Sequence, residues 1–282
     1  MNTTVMTKPL NVEARSPFSM MMIKWRKFKK LSQLDLSLES GVSQRHISFM
    51  ESGRSKPSRE MVLALADVLD IPLRDRNQLL SVAGFAPIFK ERHLDSDEMH
   101  AVHHALEMSL AHHEPYPAIV ADRNWNLVMA NEAAQRFIGL IGDPEEVWQR
   151  VDPSGNKNVY RLTFHPLGMQ PLIDNWNEMS KLLLLRLQRE VTADPNNDFL
   201  SDLLEDMTEI SGLEVLRGMT EMSIPLAPIL PMEMTTAGIT LKVFSMISSF
   251  GTALDVTAEE LKVETFFPVD DFTKLFFKRL AK

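Results

Sequence analysis

The 282-residue sequence has no cysteine. That excludes disulfides, thiolate zinc fingers and cysteine nucleophiles, and it suits a reducing cytosol. Also absent is any run of about 20 apolar residues able to span a bilayer. The most apolar stretch, Ile224 to Phe250, is broken by three prolines, Glu233 and Lys242. The first 17 residues lack a signal-peptide core and read as a loose tail. No Gly-rich phosphate loop, serine nucleophile elbow, Gly-x-Gly-x-x-Gly or His-Glu-x-x-His is present. The expectation is a soluble, cytoplasmic, non-enzymatic protein without cofactor or membrane contact.

Basic charge is also scarce, for the net charge is −8. Its distribution reverses the first impression. Residues 1–92 carry 15 Lys and Arg against 9 acids, whereas residues 93–282 carry 15 against 29. Such asymmetry marks one domain with an anionic partner and another that stays soluble on its own. The basic residues cluster in Lys24, Arg26, Lys27, Lys29 and Lys30, then in Arg45, Arg54 and Lys56.

Local signals in residues 18–85 predict five helices. The first runs from Ser19 to about Lys30, with Met22, Ile23 and Phe28 available for its apolar side. Ser32-Gln33-Leu34-Asp35 reads as an N-cap with an acid in the first turn. Gly41 ends that second helix, and Ser43 caps a third two residues later, making a helix-turn-helix unit. On a 100° wheel the third helix, Gln44 to about Glu51, turns Ile47 and Met50 inward. Arg45, Ser48, Phe49 and Ser52 turn outward, with Gln44 beside them. A groove-reading helix needs such amide and guanidinium forks near its start. Ser52 to Pro57 follows as a polar, basic loop suited to phosphates. Ser58 caps a fourth helix with Met61, Leu65, Val68 and Leu69 on its face, and a fifth spans Leu73 to about Ala83.

The ordered set Ser32-Gln33-Leu34-Asp35-Leu36, Gly41 through Ser48, Glu51-Ser52-Gly53-Arg54 and Pro57-Ser58 resembles the phage-repressor-like (XRE) helix-turn-helix family. The resemblance implies that Gln33 holds a phosphate from the start of the second helix. It implies that Gln44 and Arg45 read base edges, with Ser48 and Phe49 lining the groove. Ser43, Ser52, Arg54, Ser55 and Lys56 complete the expected backbone contacts. Glutamine suits adenine and arginine suits guanine. One such helix covers few base pairs, so a homodimer on an inverted repeat of double-stranded DNA is expected.

A linker is read over 86–97, then a helix from about Glu98 to His112. Ala118–Ala121 and Asn126–Ala130 read as strands, and Asn131 caps a short helix, Glu132 to Ile138. Tyr160 to Phe164 reads as a strand. Asn175 to Glu190 and Asp198 to Ile210 read as helices. Residues Ile224 to Phe267 should supply the remaining strands, and Asp270 to Leu280 a closing helix. The fold class is therefore two domains: an all-α helix-turn-helix domain, then an α+β, PAS-like domain over 98–282.

Four landmarks carry a second resemblance: Pro117 to Trp125; His165-Pro166 with Asn175-Trp176; Phe250-Gly251-Thr252 with Asp255; and Glu264 to Pro268. Together they resemble the MmyB-like ligand-binding domain, a PAS-like sensor. The resemblance implies a transcription regulator responding to a small apolar, acyl-chain-like ligand such as a fatty acid. Met and Phe are plentiful, 18 and 15, and offer adaptable pocket walls or plain core. Trp176, Met179 and Leu183 on successive turns could line a wall. His165 and Asn175 could meet a head group, and Phe250 joins them from its landmark. The alternative is a C-terminal domain that serves only for dimerisation and protein docking. Six of eight histidines lie between His93 and His113. His100, His103 and His104 share one helical face, which reads as solvated surface rather than a metal site.

Overall fold

The computed structural model describes residues 15–194, 196–212 and 229–282. They divide into two compact units: residues up to Arg92 together with Thr252–Glu259, and His93–Gly251 with Glu260–Lys282. Most of the expected tail, and the expected strand region from Ile224 to residue 228, lie outside the described residues.

The first unit holds α1 (Pro17–Phe28), α2 (Gln33–Ser40), α3 (Gln44–Glu51), α4 (Arg59–Val68) and α5 (Leu73–Val82). Helix starts coincide with side chains that satisfy orphan amides. Ser16, Ser32, Ser43 and Ser58 each accept a hydrogen bond from the third residue on. At Ser32 the bond is reciprocal, because Asp35 accepts from the Ser32 amide at 2.8 Å. Gly41 ends α2 at φ 70°, a left-handed conformation that costs glycine little. The helices close over Phe18, Met22, Trp25, Leu36, Ile47, Met50, Val62, Leu65 and Leu79. Each such buried side chain contributes roughly 1.5–3 kcal/mol of transfer free energy. Helix α1 begins two residues before the expected Ser19, because Pro17 is pre-set for a first helical position. Phe28, expected on its apolar side, is 37% exposed, and Trp25 fills the core instead.

Helix α5 has no side-chain cap of its own at Pro72. The Glu259 carboxylate supplies one, accepting from the Leu73 amide at 2.8 Å. The same returning segment ties Asp255 to Arg92 at 2.8 Å and the Val256 amide to the Lys90 carbonyl at 2.9 Å.

The second unit is α+β. Strands β1 (Ala118–Ala121), β2 (Leu127–Ala130), β3 (Met232–Thr236), β4 (Ile239–Ser248) and β5 (Lys262–Pro268) form one antiparallel sheet in the order β2-β1-β5-β4-β3. Ala237 and Gly238, both at positive φ, make the two-residue turn between β3 and β4. Helices α6 (His100–His113), α7 (Glu132–Ile138), α8 (Pro144–Val151), α9 (Val159–Phe164), α10 (Trp176–Ala193), α11 (Asp198–Ser211) and α13 (Asp271–Leu280) complete the unit. Helix α12 (Val256–Glu260) lies almost wholly in the segment that returns to the first unit.

One expectation is overturned: Tyr160 to Phe164 is helical, not a strand. Asn158 starts the helix by accepting from the Tyr160 and Arg161 amides. Burial alternates along it because α9 lies between two core clusters. Tyr160 and Phe164, four residues apart, face one cluster and Leu162 faces the other. The pattern of a half-buried strand arises here from a helix buried on two sides.

Candidate functional site

In the first unit the outward face of α3 and the loop after it gather the expected DNA-contacting residues. The Ser43 cap leaves Gln44 and Arg45 exposed in the first turn. Ser48 and Phe49 lie farther along and are half-buried. The Arg45 guanidinium lies 5.2 Å from the Phe49 ring centre, and that of Arg54 lies 5.9 Å from it. The Phe49 carbonyl accepts from the Arg54 and Ser55 amides at 2.8 and 3.3 Å, and from the Ser52 hydroxyl at 3.1 Å. Ser55 shares a 3.1 Å hydrogen bond with His46, and Lys56 is exposed. Three exposed cations and two amide donors of Gln44 thus share one surface.

Gln33 has a partner that its sequence position did not disclose. Its amide donates to Glu51 at 2.7 Å, while Arg26 grips the same carboxylate through two bonds of 2.6 and 2.8 Å. The hydrogen bond to Glu51 holds the Arg26 pKa above its ordinary value against the opposing effect of burial. Glu51 is thereby neutralised from behind, so the basic face of α3 is not opposed by a bare carboxylate.

In the second unit a cavity of about 440 Å³ lies between the sheet and the helices, within the size range of small-molecule sites. The sheet contributes Ile119, Val243, Ser245, Ile247, Glu264 and Phe266. Strand periodicity accounts for this set: alternate residues of β4 and β5 share a face, and Ile119 pairs with Glu264 as Ser245 does with Phe266. The helices contribute Phe137, Trp148, Leu162, Met179, Leu182 and Leu183. Among the polar wall residues, Arg186 of α10 meets Glu264, which also accepts from the Ser245 hydroxyl at 2.6 Å, and α10 adds Arg189 to the wall.

Arg186 is held by three neighbours. Its Nε donates to the Tyr160 hydroxyl at 2.9 Å and its Nη1 to Glu264 at 3.3 Å. The guanidinium stacks on Trp125 at 4.4 Å. Burial disfavours its charge, but the Tyr160 oxygen and Glu264 outweigh burial and hold it protonated. Burial pushes the Tyr160 hydroxyl well above the usual range. Behind this pair, Glu190 accepts from both Trp125 and Lys262. Burial lowers the Lys262 pKa, partly offset by Glu190.

Of the six ligand-site residues expected from sequence, Met179 and Leu183 line the cavity. The other four occupy different settings. Trp176 packs edge-on against Phe164 at 5.0 Å. Asn175 spans to β3, donating to the Pro231 carbonyl at 2.8 Å and accepting from the Glu233 amide at 3.0 Å. His165 follows the last turn of α9 and accepts from the Leu167 amide at 3.0 Å. Phe250 is half-buried beyond the end of β4. Arg186 and Arg189 escaped sequence reading because cations on an amphipathic helix ordinarily mark its solvated face.

The histidine-rich helix α6 keeps His103 and His104 near Glu107, each at 3.6 Å. Among the described residues no group of three or more acidic or histidine side chains is arranged to hold a metal ion. Among them, too, no helix is long and apolar enough to cross a membrane.

A helix-turn-helix family model matches residues 22–75. The model of the MmyB-like transcription regulator ligand binding domain matches residues 102–280. The chain belongs to the MmyB-like transcription regulators. This regulator binds DNA through its N-terminal helices and a small molecule through its C-terminal domain. Both matched families are regulator domains rather than enzymes. No curated protein matches the regulator.

Proposed function

We propose that α3 enters the major groove and that the cavity takes an acyl chain with an anionic head group, such as a fatty acid, which alters DNA affinity. The observation that carries the ligand half is the cavity itself: apolar over most of its wall, with Arg186 and Arg189 on a single stretch of α10. An acyl chain matches the apolar part, and a carboxylate matches guanidinium through paired charged hydrogen bonds. Head-group recognition thus passes from His165 and Asn175, which are not among the wall residues, to these two arginines, which are. A mere docking platform gives no reason for such a cavity. Native mass spectrometry of the purified protein, with a panel of fatty acids, tests the reading. A bound acyl species, or a raised melting temperature with changed DNA affinity, supports it. Neither effect across the panel returns the C-terminal domain to docking alone.

On the DNA side, Gln44 and Arg45 read bases while Gln33, Ser43, Ser52, Arg54, Ser55 and Lys56 face the backbone. Arg45→Ala should cost about 1–3 kcal/mol on the preferred site and relax one base position, whereas Arg54→Ala should weaken all sequences alike. The second effect should also flatten the log–log salt dependence by about one unit. Two α3 helices of a homodimer would fit half-sites about 10–10.5 bp apart, or a multiple of that. Mass photometry of the complex on a selected duplex should give two chains per site; one chain at saturation contradicts the dimer. A DNA-reading role places the protein with the chromosome in the cytoplasm.

A further inference from the structure

Phe49 is an aromatic ring on a face otherwise made of polar side chains, half-buried and with two arginines against it. We propose that Phe49 is a positioning residue whose ring holds Arg45 and Arg54 in one preset arrangement, so that the base-reading and backbone-gripping guanidiniums engage DNA together. The inference rests on α3 being the groove helix. It goes beyond that reading by assigning Phe49 no base of its own.

The placement follows from helix geometry. Phe49 is four residues beyond Arg45, so the two share a face one turn apart. The loop carrying Arg54 is pinned to the same residue, because the Phe49 carbonyl accepts from both the Arg54 and Ser55 amides. Both guanidiniums then lie within the roughly 6 Å over which a ring's quadrupole attracts a cation. A free arginine loses rotamer entropy when it docks on a base. A side chain already held by a ring loses less of it, which raises affinity through preorganisation.

Contact between the ring and a thymine methyl is the competing role. Substitutions separate the two, since leucine keeps an apolar surface without a π face and tyrosine keeps the π face. The full chain is assayed on a duplex selected from a randomised library and on its single-base variants. Phe49→Leu should lose roughly two- to fivefold of the discrimination at the base that Arg45 reads, the worth of one exposed cation–π pair. Phe49→Tyr should retain it. On an Arg45→Ala background, Phe49→Leu should lower that discrimination no further. Phe49→Met serves the same purpose if the leucine variant does not melt cooperatively.

Three results overturn the proposal. Wild-type discrimination in Phe49→Leu means that the ring holds nothing that matters. Loss of a thymine preference at another position, with the Arg45 position intact, makes Phe49 a base reader. Uniform weakening on every duplex with the Arg45 discrimination unchanged leaves the ring acting on Arg54 or on packing alone, and not on the pair. Should Arg45→Ala itself leave base preference unchanged, the groove reading fails first, and that failure is visible without any Phe49 variant.

Discussion

Glu51 receives three donors from two other helices: two from Arg26 and one from Gln33. Its side chain is 6% exposed and that of Arg26 12%, so neither charge can fall back on water when its partner is removed. Breaking such a buried pair costs about 3–5 kcal/mol, while replacing both members by apolar residues is often neutral. Glu51→Ala should therefore lower the unfolding free energy by about that amount, and Arg26→Met with Glu51→Leu should recover most of it. Urea denaturation checks both, and an additive double variant would show that the pair is not coupled. This network also marks a limit of sequence reading. Gln33 was legible as a helix-start residue, but its partner lies 18 residues on and on the inward side of another helix. Phe49 was legible as outward-facing with Arg45 one turn before it, whereas the place of Arg54 depends on a loop that turns back towards the ring.

At the scale of elements, boundaries written by a capping side chain were legible, because the cap and its amide lie within three residues. Asp35 shows the strength of such a cap. The Ser32 side chain and then the Ser32 backbone lower its pKa below the ordinary 3.8. A depressed carboxylate stabilises the fold above its unfolded pKa, and that contribution is lost as pH falls through the folded value. Ser32→Ala should bring the Asp35 titration, followed by carboxyl NMR, back up towards 3.8. An unmoved titration would dismiss the reciprocal cap. The cap of α5 was not legible, because Glu259 is 186 residues from Leu73. Glu259→Ala should cost about 1 kcal/mol, the usual worth of an N-cap, in a denaturation experiment. A change within error would mean that water caps α5 equally well. Helix α9 was misread for a different reason: periodicity reports how many sides are buried, and two buried sides on a short helix imitate alternation.

For the whole molecule, the separation of charge and of function sets what a ligand can do. A residue's own neighbours could not reveal the cavity, whose walls come from five strands and four helices far apart in sequence. Only Met179 and Leu183 of the six expected residues line it, because helical spacing places side chains on one face without saying what that face meets. If an acyl ligand in this cavity changes DNA affinity by some factor, DNA must change ligand affinity by the same factor. Couplings of this kind are typically about 1–3 kcal/mol, or 5- to 150-fold. Titrating a fatty acid into the full chain, with and without a saturating selected duplex, should give two dissociation constants. Their ratio should match the shift in DNA affinity measured with and without the fatty acid. Leu183→Trp, which fills the apolar cavity without touching the DNA-reading helices, should abolish ligand binding and its effect on DNA together. Ligand-free DNA affinity should stay within about twofold of wild type, since the substitution leaves every proposed DNA-contacting side chain in place. A Leu183→Trp protein whose DNA affinity still responds to the fatty acid would place the effector site outside the cavity.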